Sequence, residues 1–561
     1  MKKLFSLILA IIIFCSLAGC KGGGIISQSG SSGEVHTHEY TLVKPQKSTC
    51  SENGHIIYYT CDCGKIFVKK GAIYVETTPD AVLLNKTEHS FTGEVVSDKY
   101  FKEEATEESP QTFYKSCALC GEKSVADTFT FGKTLAEYAE EEKSLYAPTN
   151  LTMTLYDAAN CVYGFTWNTE VMPARPVITV KKAASGEEKS LRAEFAVANS
   201  FKSEGGRDVG VNYYSCKAKI CLEPNTEYVY SVGDKYLNTY TEKTSIKTVD
   251  AAETGSWKFV HVSDSQAEGN VADGGSGTGD AFSNVLKSVS GLSDLRFMVH
   301  TGDVVEYSKY QSYWTNMLNA NIKYLSKIPV MTISGNHETT YKNGVNETFN
   351  RFNYKIPQQQ TDLGFYYSFS YANVKFIMLN TNRLDNLKLT ADQYNWLENE
   401  LKNRTEKWTI VSMHNPMYSV GKYGSNPGNN AIARALTEQL SGIFARFKVD
   451  VVLQGHDHMI SRTHPINAEG KATGENVDEI DGINYINNPD GVIYVMNGPA
   501  GNQARSEIFG HDESLYAYAQ GSQPSSWAEF EVSGDKLTVK VKTAHAGFSA
   551  DIVSWGIKKS A

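Results

Sequence analysis

Five short polar segments hold the side chains best suited to chemistry in this 561-residue chain. They read Asp264-Ser265-Gln266, Gly302-Asp303, Gly335-Asn336-His337-Glu338, Met413-His414 and Gly455-His456-Asp457-His458. Each follows an apolar stretch that reads as a buried strand. Together they offer carboxylate, amide and imidazole donors, the mixture that a pair of divalent cations needs. Taken singly, each has a plainer reading. Asp264 alone would be a helix cap or turn former, Asn336 after Gly335 a turn, and His414 before Asn415-Pro416 a hydrogen-bonded loop residue. The ordered set outweighs those readings, because clustered His and carboxylate groups at strand ends need a common cause. His261 sits within a strand and reads as packed, while Arg462, His464 and His511 are weaker candidates for touching a substrate.

The elements that must position these groups begin at Trp257. Apolar runs at 258–262, 296–300, 329–333, 374–379, 408–413, 450–453 and 492–496 read as strands. Phe282, Val285, Leu286 and Val289 fall at helix spacing after a cap at Asp280. Thr390-Ala-Asp-Gln393 reads as a capping box leading to Tyr394, Leu397 and Leu401. The alternation predicts an α/β domain with a largely buried sheet. Ligands of such sheets gather beyond the carboxyl ends of strands. Asp264, Asp303, Asn336, His414 and His456 all stand just past a strand end, so they can converge. Residues 525–545 alternate around Gly534-Asp535 and read as a closing hairpin.

Upstream, the chain is too long for one core and divides into several parts. Met1-Lys2-Lys3, an apolar run over 4–14 and Leu17-Ala18-Gly19-Cys20 resemble a bacterial lipoprotein signal, which implies cleavage before Cys20 and lipidation of its thiol. The plainer reading is a secretory signal with an incidental Cys. No later segment looks transmembrane, so the expected location is the outer side of the membrane, tethered by lipid alone. Residues 21–35 form a Gly/Ser-rich linker. Two Cys/His-containing repeats occupy 36–130. Cys50, Cys61 and Cys63 in the first and Cys117 and Cys120 in the second suit thiolate zinc sites, disulfides or free thiols. Aligning the repeats sets Cys50 opposite Thr106, so the second repeat lacks an upstream Cys. Odd cysteine numbers in both cysteine-bearing regions argue against a simple disulfide framework. From 146 to 250, short alternating strands read as a β-sandwich, and Leu222-Glu-Pro224-Asn-Thr-Glu-Tyr228 is similar to the fibronectin type III pattern.

The five segments in their order resemble the calcineurin-like metallophosphoesterase superfamily over about residues 256–545. With the preceding sandwich, the pair is similar to purple acid phosphatases. The resemblance implies an α/β metallophosphoesterase sandwich of mixed sheets flanked by helices. It places one divalent metal on Asp264, Gln266, Asp303 and His458, and a second on Asp303, Asn336, His414 and His456, so that Asp303 bridges. Manganese, iron or zinc would suit, and His337 would contact phosphate and protonate the leaving oxygen. Two departures stand out. Gln266 occupies a position where many relatives have His. The position three residues after the bridging Asp, where purple acid phosphatases carry a Tyr, holds Glu306 here, with Tyr307 next. Glu306 reads as a solvated loop charge or, second, as a metal neighbour.

The expectation is therefore hydrolysis of phosphate monoesters, with a phosphodiesterase or nucleotidase as the alternative on the same core. Specificity would lie in the loops 338–372 and 415–430. A formal charge of -9 leaves no basic surface to grip nucleic acid, so a polyanionic substrate would be held by metal. A rival of another class is a cell-wall-binding surface lipoprotein whose catalytic domain is a relic, its repeats contacting the wall.

Overall fold

The computed structural model of the chain describes residues 37–560, apart from 139, 205, 269–279, 341–343, 358–364, 383, 425–429 and 546–547. The expected signal, Cys20 and the whole of the linker therefore lie outside the described residues, as do parts of both specificity loops. The chain forms two compact units, divided between Gly132 and Lys133.

Among the described residues the first unit holds two four-stranded antiparallel sheets and a short pairing of Gly54–His55 with Leu83–Leu84. Thr41–Val43, Tyr58–Thr60, Ile66–Lys70 and Ile73–Thr77 lie side by side in one. In the other, Gln111–Cys117 is central, flanked by Lys123–Phe131 and by Phe91–Gly93 and Phe101–Glu103. Its buried apolar side chains are few, Phe67 and Phe113 being the largest besides Tyr100. None of the eight cysteines among the described residues is joined in a disulfide. The structure also separates the five thiols of the repeats differently from their sequence alignment. Cys50 joins Cys117 and Cys120, while Cys61 and Cys63 gather with His38. Thr106 is thus not where the second group finds its upstream thiol.

The second unit opens with a β-sandwich. Thr149–Asp157, Val162–Thr169, Arg207–Cys221 and Glu194–Glu204 form one sheet in that order. Glu188–Arg192, Pro176–Lys182, Glu227–Asp234 and Thr239–Tyr240 form the other, with Thr244–Lys247 also on Glu227–Asp234. Alternating residues fill the space between them, Phe165 meeting Tyr230 at 4.9 Å between ring centres. The Tyr228 hydroxyl accepts the Glu223 N–H at 3.2 Å, the back-tie that the Leu-x-Pro-x-Thr-x-Tyr pattern predicts.

Two mixed sheets follow. The first runs Val330–Thr332, Leu295–His300, Trp257–Val262, Ser526–Ser533, Lys536–His545, Phe548–Lys558, Ile483–Asn487, Val477–Ile480. The second runs Tyr367–Tyr371, Val374–Met378, Trp408–Met413, Val451–Gln454, Ile493–Asn497, Ile460–Thr463, Tyr516–Gln520. Their inner faces meet through aromatic side chains. Phe259 lies 5.1 Å from Phe376, and Phe297 lies 5.4 Å from Phe369, both edge to face. Burial of each such ring contributes about 1.5–3 kcal/mol. Phe259→Ala would leave a cavity costing about 3–5 kcal/mol. On the outer face of the second sheet, helices Ala391–Asn403 and Ala431–Arg446 bury Leu397, Leu401, Leu436, Leu440 and Phe444 against Val411 and Val452.

Parallel pairing turns the strand ends into a platform. Trp257–Val262, Leu295–His300 and Val330–Thr332 are parallel in one sheet. Val374–Met378, Trp408–Met413, Val451–Gln454 and Ile493–Asn497 are parallel in the other. The expected hairpin around Gly534-Asp535 is present, but Phe548–Lys558 adds a third strand, so the sheet continues past residue 545. The first half of that strand is exposed, which hides its alternation. Among the described residues no helix is long and apolar enough to cross a membrane.

Candidate metal centre

Each of the five segments leaves the carboxyl end of a parallel strand, and the backbone there is bent hard. Asp264, Gln266, Asp303, His456 and His458 all have positive φ, between 37° and 73°. Non-glycine residues rarely adopt that region, and such strain persists where surrounding contacts fix it. The contacts here are backbone to backbone. Asp264 N donates to Gly302 O at 3.0 Å and Gln266 N to Asp303 O at 2.9 Å, which lays the first two segments along each other. Glycines permit the close approach. A Cβ on Gly335 would stand 2.0 Å from Asp303 Oδ1, and one on Gly455 would stand 2.2 Å from Ser263 Oγ.

The side chains that result converge. Donor atoms of Asp303, His414 and His456 all lie within 4.8 Å of one another. His414 Nε2 is 3.3 Å from Asp303 Oδ2 and 3.0 Å from Asn336 Oδ1. Asp264 Oδ1 is 3.3 Å from His458 Nε2, and its carboxylate accepts the His456 N–H at 3.0 Å. Gln266 lies beside His337, Nε2 to Nε2 at 3.0 Å. Asp303, His414 and His456 form the tight donor group, with Asn336 on His414, the Asp264–His458 pair joined through the His456 N–H, and Gln266 joined through His337, which is 3.8 Å from Asp303 Oδ2.

Backbone carbonyls set the imidazole orientations. His414 Nδ1 donates to Thr301 O at 2.8 Å, His458 Nδ1 to Gln503 O at 2.5 Å and His337 Nδ1 to Glu306 O at 2.7 Å. Each bond fixes the tautomer and leaves Nε2 facing the cluster, the outer support that metal-binding His residues commonly have. Glu338 does the same for a carboxylate. It is buried and accepts N–H groups from Gly335 and Asp303 on Oε2, at 2.7 and 2.9 Å, and from Val304 on Oε1 at 2.9 Å.

Charges in the cluster are mutually dependent. Burial disfavours the Asp264 carboxylate, yet His458 overrides that and holds it well below the usual range. Burial disfavours the charged form of His414, but the Asp303 carboxylate lifts it to about 9. Burial and the nearby His414 push His456 down to about 3. Burial and the Asp303 charge push Glu338 up to about 7. Among the seven candidate ligands, Gln266 has a buried side-chain oxygen, Oε1, without a hydrogen-bond partner. A buried amide oxygen left bare costs about 1–3 kcal/mol, and a cation facing it would remove that penalty. Carboxylates, amide oxygens and imidazole nitrogens are the donor set for first-row divalent metals, so these residues fit a pair of such ions, which would displace the proton of His414.

Other candidates have different partners. His261 is buried between Thr301 and Asn497. Arg462 and His464 both bind the Glu475 carboxylate, each at 2.8 Å, and His511 Nδ1 bonds Phe509 O at 2.9 Å. Glu306 is not a solvated loop charge as expected. Its carboxylate accepts from Gln503 Nε2 at 2.7 Å and stands 3.8 Å from His337 Nδ1. Tyr307 packs against Tyr313 at 5.3 Å. Sequence reasoning missed Glu338, although it stands three residues after Gly335 at the spacing of a capping box. It also missed Tyr423, whose ring lies 4.4 Å from that of His456, and Arg505, 3.6 Å from Asp457.

Residues 258–459 match the calcineurin-like phosphoesterase family, and this segment is a domain of that family. Purple acid phosphatase 15 of Arabidopsis thaliana is 24% identical over 307 residues, covering 51% of this chain and 53% of its own length. Purple acid phosphatase 23 of the same plant is 25% identical over 309 residues, covering 51% of this chain and 62% of its own length. The chain thus spans roughly half the length of the curated relatives it matches. Among solved structures, the purple acid phosphatase PPD1 from yellow lupin (Lupinus luteus) seeds aligns with a TM-score of 0.60 at 20% identity, over 74% of this chain and 75% of that one. That likeness is one of fold.

Proposed function

We propose that this chain is a two-metal phosphoesterase that hydrolyses phosphate esters, monoesters above all, outside the cell. The observation that carries the reading is the convergence of Asp264, Asp303, His414, His456 and His458 at the strand ends, beside the unpartnered Gln266 Oε1. The names of the matched relatives support it. Asp264, Gln266, Asp303 and His458 would hold one ion, and Asp303, Asn336, His414 and His456 the other. When bound, the ions supply Lewis acidity toward phosphate oxygens and an acidified water.

The protein's own groups do the rest. Glu338 holds the Asp303 backbone in its strained turn. Thr301 and Gln503 carbonyls aim His414 and His458. His337 Nε2 faces the cluster, and burial is offset by Asp303 and the Glu306 carbonyl so that its pKa lies above the ordinary value. An imidazole whose charged form is favoured in this way suits protonation of a departing alkoxide. The chain is acidic overall, so the substrate's negative charge would be held at the residues that carry the ions. Export and a lipid tether at Cys20 complete the proposal.

The test is hydrolysis of p-nitrophenyl phosphate and its bis ester with added manganese, zinc or iron. Metal-dependent turnover that Asp303→Asn abolishes, with the monoester preferred, supports the reading. No turnover with any metal would leave the relic surface-binding protein standing. Labelling with radioactive palmitate, lost in Cys20→Ala, tests the tether.

A further inference from the structure

Within the first unit, three thiols and one imidazole meet. The donor atoms of Cys50, His89, Cys117 and Cys120 lie within 4.8 Å of one another. Cys50 Sγ is 3.6 Å from Cys117 Sγ, and Cys120 Sγ is 3.4 Å from His89 Nδ1. A disulfide would bring two sulfurs to about 2.05 Å. In a tetrahedral site, zinc–sulfur bonds of about 2.3 Å and zinc–nitrogen bonds of about 2.0–2.1 Å put neighbouring donors about 3.5–3.8 Å apart. The observed spacings are close to the edges of such a tetrahedron. The turn Cys117-Ala-Leu-Cys120-Gly121 closes with Gly121 N on Cys117 O at 2.9 Å. The N–H groups of Leu119 and Cys120 face the Cys117 sulfur, as suits a thiolate.

We propose that Cys50, His89, Cys117 and Cys120 bind a zinc ion that fastens the two N-terminal repeats together. Cys50 comes from the first repeat and the other three donors from the second, so the ion is a cross-link between them. Backbone bonds already bring the donor loops close, Thr87 N donating to Thr49 O at 3.0 Å and Ala118 N to Ser90 O at 2.9 Å. The need for such a link is physical. Each repeat is far below the size at which an apolar core suffices. Apolar side chains that a larger fold would bury stay outside: Leu119 is 73% exposed and Val125 is 92% exposed. Three thiolates and an imidazole select zinc over the harder ions. A separate set, His38 with Cys61 and Cys63, offers three donors, both sulfurs 3.4 Å from His38 Nδ1. The proposal is confined to the four-donor set.

Cobalt substitution tests this in the full chain. Sulfur-to-cobalt charge transfer absorbs in the near ultraviolet, and the phosphoesterase cluster, having only oxygen and nitrogen donors, contributes nothing to that band. In the Cys61→Ser/Cys63→Ser variant the band should saturate at the absorbance of a single three-thiolate cobalt, whatever the phosphoesterase cluster takes up, and excess zinc should abolish it. Adding Cys50→Ala should cut the absorbance per cobalt by about a third. It should also weaken binding by at least about tenfold, since even outer-shell losses cost that much. Cys50→His should restore the affinity. Wild-type protein provides the check that needs no folded variant: absence of any thiolate–cobalt band, or a Cys50–Cys117 disulfide peptide in a non-reduced digest, overturns the proposal. A band that Cys50→Ala leaves unchanged overturns it too.

Discussion

The carboxylate of Glu338 accepts the backbone N–H of Asp303 at 2.9 Å, so one buried acid holds in place the acid that joins the two candidate metal positions. The same carboxylate takes the N–H groups of Gly335 and Val304, which tie both loops to it. Gln at this position has one acceptor oxygen and turns an N–H₂ toward backbone donors. Glu338→Gln should therefore weaken metal binding by about 10–100-fold, the usual cost of removing an outer support. Excess metal should restore much of the activity. Metal titration calorimetry checks this, and an unchanged affinity would remove Glu338 from the positioning role.

His337 is assigned the proton for the leaving group. Its loss should matter in proportion to how badly the leaving group needs one. His337→Asn should lower kcat about 10²–10⁴-fold on an alkyl phosphate. On p-nitrophenyl phosphate, whose phenolate leaves without help, the fall should be much smaller. Equal losses on the two substrates would indicate that His337 binds phosphate and donates no proton.

How much of this could be read in the sequence depended on distance along the chain. The ligands were legible because each follows its strand within a few residues, and short strings such as Gly455-His456-Asp457-His458 carry their own spacing. The sandwich was legible through Tyr228, whose hydroxyl closes on Glu223 only five residues away. Partnerships between remote segments were not. Cys50 pairs with thiols 67 and more positions on, which no alignment of the repeats suggests. Gln393 has the spacing of a capping box, and Thr390 does accept its N–H at 3.4 Å. Its side chain nevertheless turns inward to bond both N and O of Asn380, at 2.8 and 2.9 Å, because it is buried there. The strained φ values of the ligands were invisible as well: glycine, the usual signal for such a turn, precedes only Asp303 and His456 and is not itself the residue at positive φ in the five ligands.

Colour offers a separate check. In purple acid phosphatases a tyrosine supplied three residues after the bridging aspartate gives the ferric charge-transfer band. Glu306 stands at that position, and Tyr307 packs against Tyr313. Iron-loaded protein should show no intense visible band. Such a band, lost in Tyr307→Phe, would mean that the loop rearranges around iron.

Acid should destabilise the fold through two buried imidazoles. Burial pushes His261 down to about 3 and His300 down to about 4. Both are neutral in the folded chain, while the unfolded chain takes up a proton near pH 6.5. The folded state binds fewer protons below that value, so this stability is present above about pH 6.5 and is lost as pH falls toward 4. For His261 the loss reaches about 3 kcal/mol by pH 4. Melting of metal-stripped protein between pH 7.5 and 4.5 should show Tm falling, and falling less steeply in His261→Gln. Parallel curves for the two proteins would contradict the assignment.

Crystals of manganese-loaded protein, with anomalous scattering measured at the manganese edge, put the two-metal claim to its most direct trial. The expected map has two peaks flanking Asp303, one reached by Asp264, Gln266 and His458 and the other by Asn336, His414 and His456. A single peak, or none within coordination reach of Asp303 under saturating metal, would contradict the account.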